Sequence, residues 1–192
     1  PLVTEFTRRH PRLRIHALFL DRVINLIEEG VDLAFRIGEL PDSSLTAAAV
    51  GRVSQVLCAS PDYLAEHGEP RHPDELARHE LVATSGGVSP TREWRFQHRG
   101  EALAVGIAPR ITVTSNDAAL TAARLGWGIT RLLSYQIAAP VRAGQLKLLL
   151  ADYTPPPLPV HVVSLEGRRA SAKVRGFADF AVARLRADAS IN

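Results

Sequence analysis

Helix-like and strand-like patterns alternate in the first forty residues, and this alternation constrains the fold more than any other feature of the sequence. The apolar spacing predicts a short helix that ends at Pro11 and a buried strand at 13–20. A second helix, capped by Asp21, and a strand at 32–37 follow. The order helix, strand, helix, strand predicts right-handed crossovers and a parallel sheet covered by helices, which is an α/β fold.

The same alternation of helix-like and strand-like patterns continues along the chain, and it predicts two lobes. Aromatic and aliphatic residues flank a turn at 99–100, which is typical of a hairpin, and Ser115 and Ser171 each precede an amphipathic helix. The chain leaves the first lobe near Leu57 and returns near Pro159. Two extended crossings of this kind predict a hinge with a cleft between the lobes.

Composition excludes several classes of protein. Cys58 is the single cysteine, so there is neither an intrachain disulfide nor a paired-cysteine metal site, and a reducing cytoplasm is expected. No apolar run is long enough for a membrane span, and no signal-peptide pattern is present. The net charge is +3, but the basic residues are dispersed, which favours a solvated surface over a DNA-binding track.

Catalysis has no positive support in the sequence. There is no nucleophile elbow, phosphate-binding loop or pair of acidic residues at catalytic spacing. His67, His72 and His79 lie in a polar loop, where structural or solvent-facing histidines are favoured over metal ligands. The glycines around Trp127 lack the third glycine of a dinucleotide fingerprint. We therefore expect no enzyme activity, no metal and no cofactor.

An ordered set of motifs resembles the regulatory domain of LysR-type transcription regulators, and one stretch points to the CrgA-like subgroup. That stretch, which reads D-x-x-x-x-L-x-x-x-G-x-D-L-A-x-R-x-G, is 21–38, followed by 40–44. The other matching segments occur in the family's order and cover essentially the whole chain. They are 6–13, 58–64, 115–117, 126–129 and 173–180.

The resemblance implies a type-2 periplasmic-binding-protein-like fold, with two α/β lobes joined by two crossover strands. Residues 1–56 with 160–192 would form regulatory subdomain I, and 57–159 would form subdomain II. A small-molecule effector would bind in the cleft, and DNA would be bound by a winged helix-turn-helix that lies N-terminal to this domain and is absent here. The family also has a strand before the position of Pro1, and the loop after that strand contributes a Ser or Thr to the pocket.

Candidate effector-binding residues lie at the ends of predicted strands, at the start of a predicted helix, and, for Gly128, Ile129 and Thr130, after the end of a helix. A free helix N-terminus such as that at Ser115 can hold a carboxylate, although capping alone is an equal alternative. Arg36 can clamp an anion through its guanidinium group, or it can pair with Asp32 instead. An anionic or aromatic effector is therefore expected. The candidate residues are Arg36, Ile37, Gly38, Thr84, Ser85, Ser115, Asn116, Gly128, Ile129 and Thr130.

The resemblance also implies a homodimer or tetramer, in which the first helix of one subunit packs against the second-lobe helix of its partner. The alternative is that the alanines of the second helix pack only against their own lobe. The candidate interface residues are Leu2, Val3, Phe6, Ile15, Ala118, Ala119, Ala122 and Leu125. A solute-binding receptor of the same fold is the competing interpretation of the function.

Overall fold

The computed structural model describes residues 2–20, 24–40, 45–85, 92–165 and 171–191. The chain divides into two compact units: unit 1 comprises residues 1–53 and 158–192, and unit 2 comprises residues 54–157. The sequence placed the divisions after residues 56 and 159. Among the described helices, none is both long and apolar enough to cross a membrane.

Unit 1 is built around a three-stranded sheet. Its strands are β1 (Leu33–Ile37), β2 (Leu45–Val53) and β10 (Leu158–Leu165), and β10 lies in the centre, antiparallel to both neighbours. The helices of unit 1 are α1 (Leu2–Arg9) and α5 (Ala172–Arg186). The described sheet is therefore antiparallel, and the parallel arrangement predicted from the first forty residues is wrong for these strands.

The predicted helix at the start of the chain is confirmed, and it packs on the last helix of the same unit. Phe6 is buried, with its ring centroid 5.0 Å from that of Phe177 and 5.1 Å from that of Phe180. Glu5 pairs with Arg9 at 2.7 Å on its own helix and with Arg184 of α5 at 2.9 Å. Because these pairs are exposed, aromatic packing holds α1 in place more than charge does.

The strand predicted at 13–20 is not formed, and this prediction is wrong. The segment lacks regular structure, and Phe19 is 91% exposed. An apolar pattern favours a strand only where a neighbouring strand accepts its backbone hydrogen bonds, and none of the described strands pairs with 13–20. The helix predicted after it is a turn at 26–30, and the predicted cap, Asp21, lies outside the described residues.

Unit 2 contains a five-stranded sheet in the order β7-β4-β8-β3-β9. Strands β4, β7 and β8 are mutually parallel, whereas β3 runs antiparallel to β8 and β9. The sheet strands are β3 (Gln55–Ala59), β4 (Leu81–Thr84), β7 (Ile111–Val113), β8 (Ile129–Leu133) and β9 (Lys147–Leu149). This sheet has the parallel core that α/β alternation predicts.

Helices and a hairpin cover the two faces of this sheet. The predicted hairpin is confirmed as β5 (Glu93–His98) and β6 (Glu101–Gly106). It contributes Trp94, Phe96 and Val105 to one core cluster. A second cluster contains residues of the sheet and of two helices. The helices of unit 2 are α2 (Pro61–His67), α3 (Asn116–Arg124) and α4 (Ser134–Arg142).

Candidate functional site

The ends of the parallel strands bring several small polar residues to one edge of unit 2. Strands β4 and β7 end in register at Thr84 and Val113, so Ser85 and the start of α3 lie side by side. Neighbouring strands lie about 4.8 Å apart. We call this edge the carboxyl edge; Ser54, Ser85, Ser115 and Ser134 mark its positions on four adjacent strands.

Hydrogen bonds fix the two ends of the carboxyl edge. The amide of Ser85 donates to the carbonyl of Val113 at 2.9 Å, which extends the β4–β7 pairing by one residue. The amide of Ser134 donates to the carbonyl of Ser54 at 2.8 Å, and the amide of Ser54 donates to Ser134 Oγ at 3.2 Å. The edge is therefore held mainly by backbone bonds, with one side-chain hydroxyl, Ser134 Oγ, contributing at the end beside Ser54.

Two helices begin at the carboxyl edge. Ser115 caps α3 by accepting a hydrogen bond from the amide of Ala118 at 3.4 Å. Helix α4 begins at Ser134, and the amide of Leu133 donates to Gln136 Oε1 at 3.0 Å. A helix N-terminus carries a partial positive charge, and two of them at one edge create a region that favours an anion.

The predicted residues of unit 2 fall into two groups. Thr84, Ser85, Ser115 and Asn116 all lie at the carboxyl edge. Ser85 is buried, and the other three are half-buried. Their clustering follows from the register of β4 and β7.

The second group, Gly128, Ile129 and Thr130, lies at the opposite end of the sheet. Ile129 is in register with Leu81, the first residue of β4, and donates its amide to the carbonyl of Glu80 at 2.9 Å. Ile129 and Thr130 are fully buried. We correct their predicted position: a helix between two parallel strands returns the chain to the amino edge, so residues that open the next strand cannot lie beside Ser115.

Arg36, Ile37 and Gly38 lie at the end of β1 in unit 1. The guanidinium of Arg36 donates to the backbone carbonyl of Ile24, so this side chain ties the 24–31 segment to the sheet. Gly38 has a φ of 112° and donates its amide to the carbonyl of Pro159 at 2.9 Å. An effector contact at these residues stays a prediction, and Arg36 has a structural role beside it.

The predicted interface residues differ in how much surface they present. Phe6 and Ala119 are buried within their own units, so they cannot form an external contact surface. The reason is local packing, since Ala119 belongs to the core cluster beneath α3. Leu125 is 71% exposed and Ala118 is exposed. The half-buried members of the set are Leu2, Val3, Ile15 and Ala122.

Sequence reasoning missed Ser54, Ser134 and Arg131. A signal for Ser134 was available, because it follows a strand and begins a helix just as Ser115 does. Ser54 gave no local signal, since it comes to the carboxyl edge only through the antiparallel pairing of β3 with β8. Arg131 lies on β8 close to the same edge, and the pKa of its guanidinium is lowered by burial to about 10.

Solved structures of similar sequence share this fold. The regulatory domain of CrgA from Neisseria meningitidis is 32% identical, with a TM-score of 0.83, and the match covers 96% of this chain and 90% of that one. Full-length AphB of Vibrio cholerae, a virulence activator of the LTTR family, is 27% identical, with a TM-score of 0.83. The match covers 96% of this chain and 62% of that one. These structures confirm the predicted α/β fold of the periplasmic-binding-protein-like type.

Curated relatives and a family match identify the chain. An HTH-type transcriptional regulator of Xanthomonas campestris pv. campestris (strain 8004) is 35% identical over 195 residues, covering 98% of this chain and 56% of the relative. CrgA of Neisseria meningitidis serogroup C (strain 8013) is 32% identical over 186 residues, covering 96% of this chain and 62% of that relative. This chain thus spans about three-fifths of these relatives. The LysR substrate binding domain family matches residues 1–186. The chain belongs to the LysR substrate binding domain family.

Proposed function

We propose that this chain is the effector-binding and dimerisation domain of a LysR-type transcription regulator, with units 1 and 2 as its regulatory subdomains. In this role the domain binds a small organic anion and catalyses no reaction. DNA binding belongs to an N-terminal winged helix-turn-helix, and the protein acts in the cytoplasm. The similarity to HTH-type transcriptional regulators favours this role over a solute receptor of the same fold.

The observation that carries the proposal is the pair of helix N-termini at the carboxyl edge of unit 2. Helices α3 and α4 both begin there, beside the hydroxyl-bearing residues Ser85 and Ser115. Open α/β sheets bind their ligands at the carboxyl ends of the strands. Backbone amides and hydroxyls donate hydrogen bonds, so they suit a carboxylate better than a cation.

Replacing Ser115 by aspartate tests this site. Aspartate caps a helix as well as serine does, so the fold is retained, but its negative charge repels a bound anion. We expect the Kd for a stabilising organic acid to rise at least about tenfold, which corresponds to about 1.4 kcal/mol. Ligands are found by thermal-shift screening of organic acids against their neutral amides, and Kd is measured by calorimetry.

Ser171→Asp is the matched control for this variant. Ser171 caps α5 in unit 1 by accepting from the amide of Val174 at 3.4 Å, the same distance as the bond that Ser115 makes. The control adds the same charge at an equivalent cap and should leave Kd unchanged. Equal binding by wild type and Ser115→Asp would contradict the site, and stabilisation only by cationic or neutral ligands would contradict the anionic effector.

We also propose that the exposed end of α3 contributes to a homodimer. Leu125 is 71% exposed and Trp127 is 56% exposed, so two large apolar side chains lie together in solvent. A two-fold contact buries such a surface on both subunits and closes on itself. Leu125→Arg should therefore shift the sedimentation coefficient at micromolar concentration from dimer to monomer.

Leu148→Arg is the control for the oligomeric state, because Leu148 is 43% exposed on β9 of the same unit. It introduces the same charge outside α3 and should leave the dimer intact. A monomeric wild type would contradict the dimer, and a Leu125→Arg variant that sediments with the wild type would contradict this surface.

A further inference from the structure

Arg131 is a charged residue of unit 2 that is partly removed from water. Its guanidinium is half-buried on β8, and Cζ lies 5.5 Å from the centroid of the Trp94 ring. Nη1 donates to the backbone carbonyl of Arg95 at 3.4 Å, which is a long hydrogen bond. Burial lowers the pKa of this guanidinium to about 10, so it stays charged at neutral pH while partly removed from water.

A charge withdrawn from water is normally paired with an opposite charge. Within the described part of the chain, no carboxylate lies within 4 Å of the Arg131 guanidinium. Glu93, the residue before Trp94, pairs with Arg95 Nε at 3.1 Å. Since arginine has five N–H donors, most of its hydrogen-bonding capacity remains available.

The residues that flank Arg131 in the sheet are apolar and buried. Val82 of β4 is in register with Thr130, so the small residue Ala83 lies beside Arg131. On the other side, Arg131 pairs directly with Leu57 of β3. Leu57 and Trp94 belong to the same core cluster. Arg131 is only two residues before the end of β8, where the carboxyl edge begins.

We propose that Arg131 binds the carboxylate of an organic acid near the carboxyl edge, with Trp94 fixing the position of the guanidinium. The inference rests on the proposed effector-binding function and names the residue that neutralises the ligand. A guanidinium binds a carboxylate through two parallel N–H bonds, and it does so best when a ring holds it in place.

Benzoate and its neutral isostere benzamide are the probes for this site. The wild-type chain should be stabilised by benzoate at constant ionic strength, and benzamide should have no effect. Arg131→Met keeps the length and apolar stem of the side chain but removes the charge. It should melt no lower than wild type without ligand, because a partly desolvated charge has been removed, and its Kd for benzoate should be at least tenfold higher.

Two further variants make the test specific to Arg131. Arg131→Lys keeps the charge but loses the two-bond geometry, so its affinity should lie between those of wild type and Arg131→Met. Arg95→Met removes a neighbouring arginine whose side chain is 84% exposed, and it should bind benzoate as wild type does. If Arg95→Met loses as much affinity as Arg131→Met, binding reflects general surface charge and the proposal is overturned.

The Ser115→Asp variant separates this proposal from the proposed function. Loss of benzoate binding in both Arg131→Met and Ser115→Asp supports a single site. Loss in Ser115→Asp alone overturns the role of Arg131 and leaves the effector site in place. Loss in Arg131→Met alone supports Arg131 and contradicts the site at Ser115. A wild type that benzoate does not stabilise overturns the role of Arg131, whereas binding of other organic acids would still support the proposed function.

Discussion

Gly128→Ala should destabilise unit 2 by about 3 kcal/mol or more, because two separate costs add at this position. The φ of Gly128 is 141°, a conformation that residues with a side chain rarely adopt. A Cβ built there would lie 2.2 Å from the carbonyl oxygen of Glu80, which is a backbone atom and cannot rotate away. Accommodating the methyl group requires the start of β8 to move away from the chain that enters β4.

Gly144→Ala separates the two costs. Gly144 also has a positive φ, 69°, but nothing lies within 4 Å of its Cβ position. In this control the free energy of unfolding should fall only by the backbone cost of about 1 kcal/mol. Urea unfolding followed by tryptophan fluorescence measures both variants, since Trp94 is buried in the core of unit 2. Equal losses in the two variants would show that the contact with Glu80 is unimportant.

Cys58 should be almost inert to thiol reagents in the folded protein. Its side chain is fully buried, and burial raises the pKa of the thiol from 9.0 to about 12. Because the thiolate is the reactive form, a shift of this size lowers the reactive fraction at pH 8 by about a thousandfold. Labelling by a disulfide reagent should therefore be at least that much slower in buffer than in denaturing urea, and rapid labelling of the native chain would contradict it.

The same thiol gives a pH dependence of defined sign. Below pH 9 the thiol is neutral in both the folded and the unfolded chain, so its full contribution to stability is present. Between pH 9 and about 12 the unfolded thiol ionises while the folded one does not, so the free energy of unfolding falls. Cys58→Ala should show a smaller decrease than wild type over this range. Identical pH profiles would contradict the raised pKa.

Local sequence signals predicted the elements whose formation depends on neighbouring residues. The cap at Ser115, the cap at Ser171 and the hairpin turn at 99–100 were each predicted and are confirmed. In each case a few adjacent residues supply the capping group or the turn, so no long-range contact has to be known.

Long-range pairing was predicted less well, and the reason is physical. The 13–20 segment has the composition of a strand, but a strand forms only with a partner, which the pattern cannot name. The direction of β10 relative to β1 depends in the same way on pairing between residues that are far apart in the sequence, such as Ile37 and Val160. Gly128 was assigned to the site by its sequence context, whereas its packing against Glu80 depends on the register between β8 and β4.

Titration of the ¹⁵N-labelled chain with benzoate, followed by backbone amide chemical shifts, tests the carboxyl edge most directly. The largest changes are expected at Ser85, Ser115 and Asn116, which lie at the carboxyl edge. The amides of Glu80 and Leu81, at the amino end of β4, should change little. Shifts that are largest at Glu80 and Leu81, or that are spread over both units without a centre at Ser115, would contradict the proposed effector site.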